Sequence, residues 1–202
     1  MSAHTRGPVS LTPLRSLPVH GFHDPFTRRL LTHRGLTTEL LEQRGQCMLR
    51  VRVVRQTLAE PLVGHRRLRG MLLLAPGSPA LVRRTELVTP QGRVVSRNLV
   101  IGHLPQSPEL CALATDHSVP LGRSLAVRGI PHRRRFLTAG LGVWNGSAGD
   151  VPAAARDYLM CLDGEAPLYV QETFHPAVAP PGRRTGTLVA APARASLSGT
   201  TA

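Results

Sequence analysis

The sequence predicts an α+β fold in which a single antiparallel β-sheet is flanked by short helices. Three observations support this class: short runs of alternating or β-branched apolar residues, turn sequences that join them as hairpins, and helix-starting residues ahead of short amphipathic segments. The 202 residues, 42% of them apolar, suffice for one domain. We place this domain at 22–178, between a flexible segment 1–21 and a disordered tail 179–202, because both ends are rich in Pro, Gly, Ser, Thr and Ala.

Two short helices open the predicted domain, over 24–31 and 37–43. In both segments apolar residues recur at helical spacing, and Asp24 followed by proline, and then Thr37, are typical helix-starting residues. A glycine follows each segment and ends it. The two helices are therefore expected to follow one another directly.

Four strands are predicted in the next part of the chain. Apolar residues alternate with arginines over 48–55, and a second apolar run covers 71–75. The runs 80–88 and 93–101 surround the turn sequence at 89–92, in which proline at the second and glycine at the fourth position favour a type I turn. These last two runs are predicted to form a hairpin.

The register of this hairpin decides which side chains face each other. With Pro90 and Gln91 as the loop, Arg84 is predicted to lie directly opposite Arg97. Like charges in that position repel each other, so either both guanidinium groups point into water or an anion lies between them. A bulge at Gly92 would shift the pairing by one residue, and the sequence leaves this alternative open.

Two more helices are predicted after the hairpin. Ser107 and Pro108 have the residue types of an N-cap and a first helical position, and the segment they start ends near residue 115. A second start lies at Pro120, which leaves the backbone amides of Leu121 and Gly122 without helical acceptors. Such amides attract carboxylates, although a capped helix whose amides bond to water is the more common arrangement for these residue types.

The last two strands, 156–162 and 168–174, flank an Asp-Gly turn typical of a hairpin. In the second strand Glu172 shares a face with leucine, valine and phenylalanine. A carboxylate on an apolar face should have a raised pKa, which would suit proton transfer. The alternative is an ordinary ion pair with one of the arginines.

The charged residues are strongly unbalanced, with 25 Lys and Arg against 12 Asp and Glu and a formal net charge of +13. Every cation is arginine, which reflects either composition bias or selection for bidentate contacts with anions. Nucleic acid is not the expected partner, because the arginines are scattered, aromatic residues make up only 3%, and the one dense cluster is 133–135.

No metal site or cofactor is expected. Cys47, Cys111 and Cys161 form no Cys-x-x-Cys pair, and the nine histidines form no His-Glu-x-x-His motif. The sequence also lacks a signal-peptide pattern and any run of 18 apolar residues. We therefore expect a cytoplasmic protein without a membrane partner.

Taken in order, these segments resemble the chorismate pyruvate-lyase family, including its small single-domain bacterial members, over residues 23–178. The resemblance rests on Gly35-Leu36-Thr37, the arginines at 84 and 97, Pro120-Leu121-Gly122-Arg123, and the segment from Arg156 to Gln171-Glu172-Thr173-Phe174-His175-Pro176. It implies a chorismate lyase-like fold and the conversion of chorismate into 4-hydroxybenzoate and pyruvate by a carbon–oxygen lyase that needs no cofactor.

The resemblance implies that Arg84, Arg97, the Leu121 amide and Glu172 line one closed pocket. We expect Glu172 to transfer the proton, Arg97 to attract the enolpyruvyl end as the second catalytic residue, and Arg84 to bind the ring carboxylate. Leu121 and Gly122 complete the carboxylate site, and Leu36 belongs to a flap over the pocket. Whether Arg83 takes the place of Arg84 stays open.

Two other functions remain compatible with these segments. One is a diverged enzyme of the same fold that acts on another aromatic or cyclohexadiene carboxylate. The other is a small-carboxylate-binding module without catalysis, because the family fold is shared with effector-binding domains of transcription regulators. For each of them the expected partner is a small anionic molecule, and the expected oligomeric state is a monomer or a weak homo-oligomer.

Overall fold

Seven antiparallel strands form one sheet in the computed structural model, which describes residues 11, 13–59, 66–105, 107–147 and 149–182. The strands are β1 (Arg15–Ser16), β2 (Arg50–Ala59), β3 (Ala80–Val88), β4 (Val94–Gly102), β5 (His132–Gly146), β6 (Gly149–Leu162) and β7 (Leu168–Phe174). The helices are α1 (Pro25–Thr32), α2 (Thr37–Gly45), α3 (Arg66–Met71), α4 (Pro108–Thr115) and α5 (Leu121–Val127), with a 3-10 turn at Val19–Gly21. The strand order is β1-β5-β6-β7-β4-β3-β2, so the predicted fold class is confirmed.

The helix starts follow the predicted capping chemistry. The Asp24 carboxylate accepts a hydrogen bond from the Thr27 amide at 2.7 Å and from the Thr27 hydroxyl at 2.9 Å. Ser107 caps α4 through a longer bond of 3.5 Å from the Leu110 amide. These caps satisfy amides that the first helical turn leaves without partners.

The largest difference from the predicted elements is β5, a 15-residue strand that the sequence pattern did not indicate. Its first residue, His132, is followed by three arginines at 133–135, and it contains glycines at 140 and 142, which are poor strand formers. It forms nevertheless because it pairs along its whole length with β6. The predicted strand at 71–75 is wrong, since α3 ends at Met71 and a turn follows.

The register of the β3–β4 hairpin also differs from the prediction. Gly92 has a positive φ of 81°, and the Thr89 amide bonds to the Arg93 carbonyl, so the loop has three residues rather than two. A second irregularity between Leu87 and Val88 adds another one-residue shift. Arg97 therefore lies opposite Glu86, and Arg84 lies opposite Leu99. The two shifts together amount to two residues, and side chains alternate between the faces of a strand with a period of two. Arg84 and Arg97 therefore still point to the same face of the sheet, as predicted.

Part of each predicted tail belongs to the folded structure. Arg15 and Ser16 pair with Leu141 and Gly140 of β5, and Ala179 is fully buried in the core. Residues 1–10, 12 and 183–202, where the rest of the flexible tails was predicted, lie outside the described residues. Within the described part, none of the helices has both the length and the apolar character that crossing a membrane requires.

Helices cover the two faces of the sheet unequally. Leucines of α1, α2, α4 and α5 pack on the face formed by alternate residues such as Val100, Tyr158 and Phe174. On the opposite face a smaller cluster forms beneath α3 around Val82 and Ile101. Each face keeps a cavity that its helices leave unfilled, and these two cavities are described next.

Candidate functional site

A cavity of about 70 Å³, here called the lid cavity, lies between the sheet and the beginnings of α2 and α5. Polar and apolar side chains from both helices and from six strands enclose it. They are Leu36, Thr37, Thr38, Val51, Arg83, Thr85, Leu87, Asn98, Val100, Pro120, Leu121, Gly122, Arg123, Arg134, Tyr158, Met160, Val170 and Glu172. The connection between α1 and α2, residues 33–36, is called the lid.

Strand register brings the floor of the cavity together. Glu172 on β7 lies opposite Arg156 on β6 and Asn98 on β4, and Asn98 lies opposite Thr85 on β3. Residues directly opposite one another across neighbouring strands point to the same face. One row of side chains thus crosses four strands, and in sequence its members lie up to 87 residues apart.

Glu172 and Arg156 form a buried ion pair at the centre of this row. Arg156 Nε donates to a Glu172 carboxylate oxygen at 2.7 Å, and both residues are at most 7% exposed. The hydroxyls of Thr37 and Tyr158 also donate to this carboxylate, at 3.0 and 3.3 Å. Burial alone would raise the pKa of Glu172, but the positive charges of Arg156 and Arg134 outweigh it and lower the pKa. The predicted raised pKa is therefore wrong, and the ion-pair alternative holds.

The same arginine fixes the lid to the sheet. Arg156 Nη1 donates to the carbonyls of Leu30 and His33 at 2.7 and 2.8 Å. Its Nη2 donates to the Thr37 hydroxyl at 2.8 Å. One guanidinium group thus links β6, β7 and both ends of the lid.

Arg134 contacts the lid from β5. Its Nη1 donates to the Gly35 carbonyl, and its guanidinium carbon lies 5.2 Å from the centre of the Tyr158 ring. Gly122 permits this position, because a Cβ there would lie 3.3 Å from Arg134 Nη2. Nε of Arg134 is buried, and no residue in the described part of the chain accepts a hydrogen bond from it.

The cavity carries an excess of positive charge. Arg123 pairs with Glu42 at 2.5 Å, and Glu172 pairs with Arg156. Arg83 is 2% exposed and donates instead to the carbonyls of Ala114, at 2.6 Å, and of Asp116. This burial lowers the pKa of Arg83.

The residues predicted from the sequence separate into two groups. Leu36, Leu121, Gly122 and Glu172 all line the lid cavity. Arg84 and Arg97 do not reach it, because they lie on the opposite face of the sheet, where they line a second cavity. Adjacent residues of a strand point to opposite faces, so Arg83 is the hairpin arginine that enters the lid cavity.

Arg134 is a residue of the lid cavity that was not predicted from the sequence. Its position in a charged run suggested a solvated rim, and β5 was not predicted. Alternation along a strand would have separated it from its neighbours, since Arg133 and Arg135 are exposed on the other face while Arg134 is partly buried. Arg134 could have been identified if residues 133–135 had been predicted to form a strand.

The second cavity, here called the back cleft, has a volume of about 280 Å³. Arg97 is held firmly at its edge: Nε donates to Glu86 at 3.1 Å, Nη1 donates to the Asn145 carbonyl at 2.6 Å, and the guanidinium carbon lies 4.2 Å from the centre of a Trp144 ring. Glu86 also accepts from Arg52 at 2.6 Å.

Comparisons with known proteins identify the fold. No protein-family model matches the chain, and no curated protein matches it. Among solved structures, PhnF from Mycobacterium smegmatis matches with a TM-score of 0.51 and 16% identity, over 71% of this chain and 65% of that chain. The effector domain of PhnF matches with a TM-score of 0.50 and 19% identity, over 70% and 88%. A transcriptional regulator of the GntR family from Enterococcus faecalis V583 matches with a TM-score of 0.40 and 10% identity, over 61% and 91%.

These matches confirm one prediction and overturn another. The chorismate lyase-like fold is shown, and this chain spans just under two thirds of the complete PhnF chain and most of its effector domain. The predicted membership of the chorismate pyruvate-lyase family is wrong, and so is the predicted carbon–oxygen lyase activity, because the structures matched with a TM-score of at least 0.50 are PhnF and its effector domain, not lyases. The separation of Arg84 and Arg97 from Glu172 agrees with this correction.

Proposed function

We propose that the chain is a ligand-binding domain that holds a compact anion in the lid cavity and performs no chemistry on it. The observation that carries this proposal is Arg134, whose buried Nε has no acceptor among the described residues although the side chain lines the cavity. A buried N–H without a partner costs about 1–3 kcal/mol. An anion in the cavity would supply the missing acceptor.

The charges around the cavity support an anionic ligand. Arg83 and Arg134 both line it, and neither forms an ion pair with a carboxylate within the described ranges. Guanidinium groups in a setting with little water bind carboxylates and other oxyanions strongly. The remaining two arginines near the cavity already have carboxylate partners and contribute no excess charge.

The volume of the cavity limits the size of the ligand. A benzene ring fills a cavity of about 150 Å³, whereas one water molecule in the liquid takes about 30 Å³. A volume of about 70 Å³ therefore suits an inorganic oxyanion or a carboxylic acid of two or three carbons while the lid is in the observed position.

The state of Glu172 supports binding without catalysis. A general acid at neutral pH needs a raised pKa, but the neighbouring arginines lower the pKa of this carboxyl below its ordinary value despite its burial. Three side chains already donate to its oxygens. Its role in this proposal is to hold Arg156 and, through it, the lid.

Calorimetric titration with acetate, glycolate, sulfate and phosphate, in a buffer low in chloride, tests the proposal. We expect one site for at least one of these anions, and Arg134→Gln to weaken it at least about tenfold, since a charge-assisted hydrogen bond contributes about 1.5–3 kcal/mol. The matched control is Arg84→Gln, which removes the same charge from the opposite face. Equal weakening by both variants, or no binding by the folded wild type, would contradict the proposal.

A further inference from the structure

The lid cavity contains three uncharged polar side chains that lie on different elements. They are Thr38 on α2, Thr85 on β3 and Asn98 on β4, and together they are called the polar wall. We infer that the anion bound in this cavity is a short hydroxycarboxylate, with its carboxylate at Arg134 and its hydroxyl group against the polar wall. The inference rests on the proposed function, because it requires that the lid cavity binds an anion.

Strand register places two members of the polar wall side by side. Thr85 lies directly opposite Asn98 in the β3–β4 pair, on the sheet face that carries Glu172. Side chains in that relation have Cβ atoms about 4.5–5.5 Å apart, so both can contact one small group. Thr38 belongs to the first turn of α2, which covers the cavity from the other side. Uncharged polar groups are thus available from the sheet and from a helix.

The polar wall has unused capacity for hydrogen bonds. Among the described residues, the hydroxyls of Thr38 and Thr85 form no hydrogen bond, and the Asn98 amide accepts one long bond of 3.4 Å from Ser96. Thr38 and Thr85 are only 6% and 8% exposed, and polar groups buried to that extent usually have a partner. Their oxygens are not sealed off, since the fully buried polar atoms without a partner in the described part of the chain belong to other side chains. A small molecule in the cavity can therefore bond to them.

A hydroxyl group on the ligand suits this wall. A hydroxyl both donates and accepts hydrogen bonds, and so do the threonine hydroxyls and the Asn98 amide, so the donors and acceptors of the two sides can be matched. An ammonium group is disfavoured instead, because the positive charges of Arg83 and Arg134 line the same cavity and repel it. The second polar group of the ligand is therefore expected to be neutral.

The rest of the lining favours carbon atoms on the ligand. Leu36 and Leu121 at the helix starts, and Val100 and Val170 on the strands, also line the cavity. A sulfate or phosphate ion has no apolar surface to place against these side chains, whereas a methyl or methylene group has. The volume of about 70 Å³ limits the chain to two or three carbons, as in glycolate and lactate.

Calorimetric titration of the full chain with lactate and with propionate tests the inference. The two acids have the same carbon chain and differ by one hydroxyl group. Each enantiomer of lactate is titrated separately, and the enantiomer that binds more tightly is used for the comparison. We expect it to bind about tenfold more tightly than propionate, because its hydroxyl group forms hydrogen bonds that propionate lacks.

Variants of similar shape assign this preference to the polar wall. Thr85→Val and Thr38→Val each remove a hydroxyl group, and each should reduce the ratio of lactate affinity to propionate affinity at least about threefold. Because the ratio is taken within one variant, a general loss of stability affects both acids alike. Thr173→Val is the matched control, since Thr173 lines the back cleft on the opposite face and its replacement should leave the ratio unchanged.

Failure of this inference and failure of the proposed function give different results. Equal binding of lactate and propionate, or an affinity ratio that the two polar-wall variants change no more than Thr173→Val does, would overturn the inference while the binding of an anion at Arg134 stands. Binding of sulfate or phosphate without binding of lactate would have the same meaning. If Arg134→Gln bound every anion as tightly as the wild type, the proposed function would fail, and the inference would fail with it.

Discussion

At the scale of single residues, the pair formed by Glu172 and Arg156 combines a structural and a positioning role. Arg156 is completely buried and donates to a carboxylate, two carbonyls and a hydroxyl. A charge in that setting is tolerated only while its partners remain. The pair therefore couples the stability of the domain to the position of the lid.

Replacing Glu172 by glutamine should show the cost of leaving Arg156 without its counter-charge. Breaking a buried ion pair by removing one partner costs about 3–5 kcal/mol, and we expect Glu172→Gln to lower the free energy of unfolding by at least 3 kcal/mol on this scale. The measurement is equilibrium unfolding in urea. Glu109→Gln is the control, because its pair with Arg128 is more than half exposed on both sides and should contribute well under about 1 kcal/mol. Similar losses in both variants would refute the role of burial.

At the scale of secondary structure, local chemistry explains where helices start. Asp24 bonds to the Thr27 amide at 2.7 Å, whereas Ser107 bonds to the Leu110 amide at 3.5 Å. Asp24→Ala should therefore destabilise the domain by about 1 kcal/mol, and Ser107→Ala by clearly less. Paired denaturation curves measure this difference, and a larger loss in the serine variant would contradict it.

The sequence was informative where local signals act alone. The observed bounds of β7 and of β3 equal the predicted ones, because alternating apolar residues end at clear turn sequences. The sequence-based prediction failed where pairing between strands determines which residues form a strand and which residues face each other. The arginines and glycines of β5 give no strand pattern, and the strand is stabilised by its pairing with β6. The two single-residue shifts in the β3–β4 hairpin depend on the positive φ of Gly92 and on the irregular pairing between Leu87 and Val88.

The candidate site follows the same pattern. Four residues of the lid cavity could be predicted because each lies at the start of a helix or on a strand with a clear alternating pattern. They are Leu36, Leu121, Gly122 and Glu172. To choose between Arg83 and Arg84, one must know which residues of β3 point to the lid cavity. To find Arg134, one must know that residues 132–146 form a strand. Both depend on contacts between residues far apart in sequence, which no local pattern contains.

At the scale of the whole molecule, the sheet separates two arginine-lined cavities and leaves two histidines in positive surroundings. Burial lowers the pKa of His33, and the charges of Arg156 and Arg134 lower it further, with Glu172 opposing them. Burial and then Arg97 lower the pKa of His175. In both cases the folded protein binds protons less readily than the unfolded chain.

This difference sets the direction of a pH dependence. Because the unfolded chain takes up more protons between the ordinary histidine pKa of 6.5 and the lower folded values, stability should fall as the pH is lowered from 7.5 to 6.0. Urea unfolding at constant ionic strength measures it. The double variant His33→Gln and His175→Gln should have a flatter profile than the wild type, and a profile of unchanged slope would contradict the assignment.

The most direct measurement of the central claim is nuclear magnetic resonance of the arginine Nε–Hε groups during titration with the compact anion that binds most tightly. The Arg134 signal, assigned by its loss in Arg134→Lys, should shift strongly and saturate with the same affinity as in calorimetry, because the anion becomes the acceptor of its buried Nε. The Arg84 signal should stay in place. An Arg134 signal that does not move while the anion binds would show that the lid cavity is not the site.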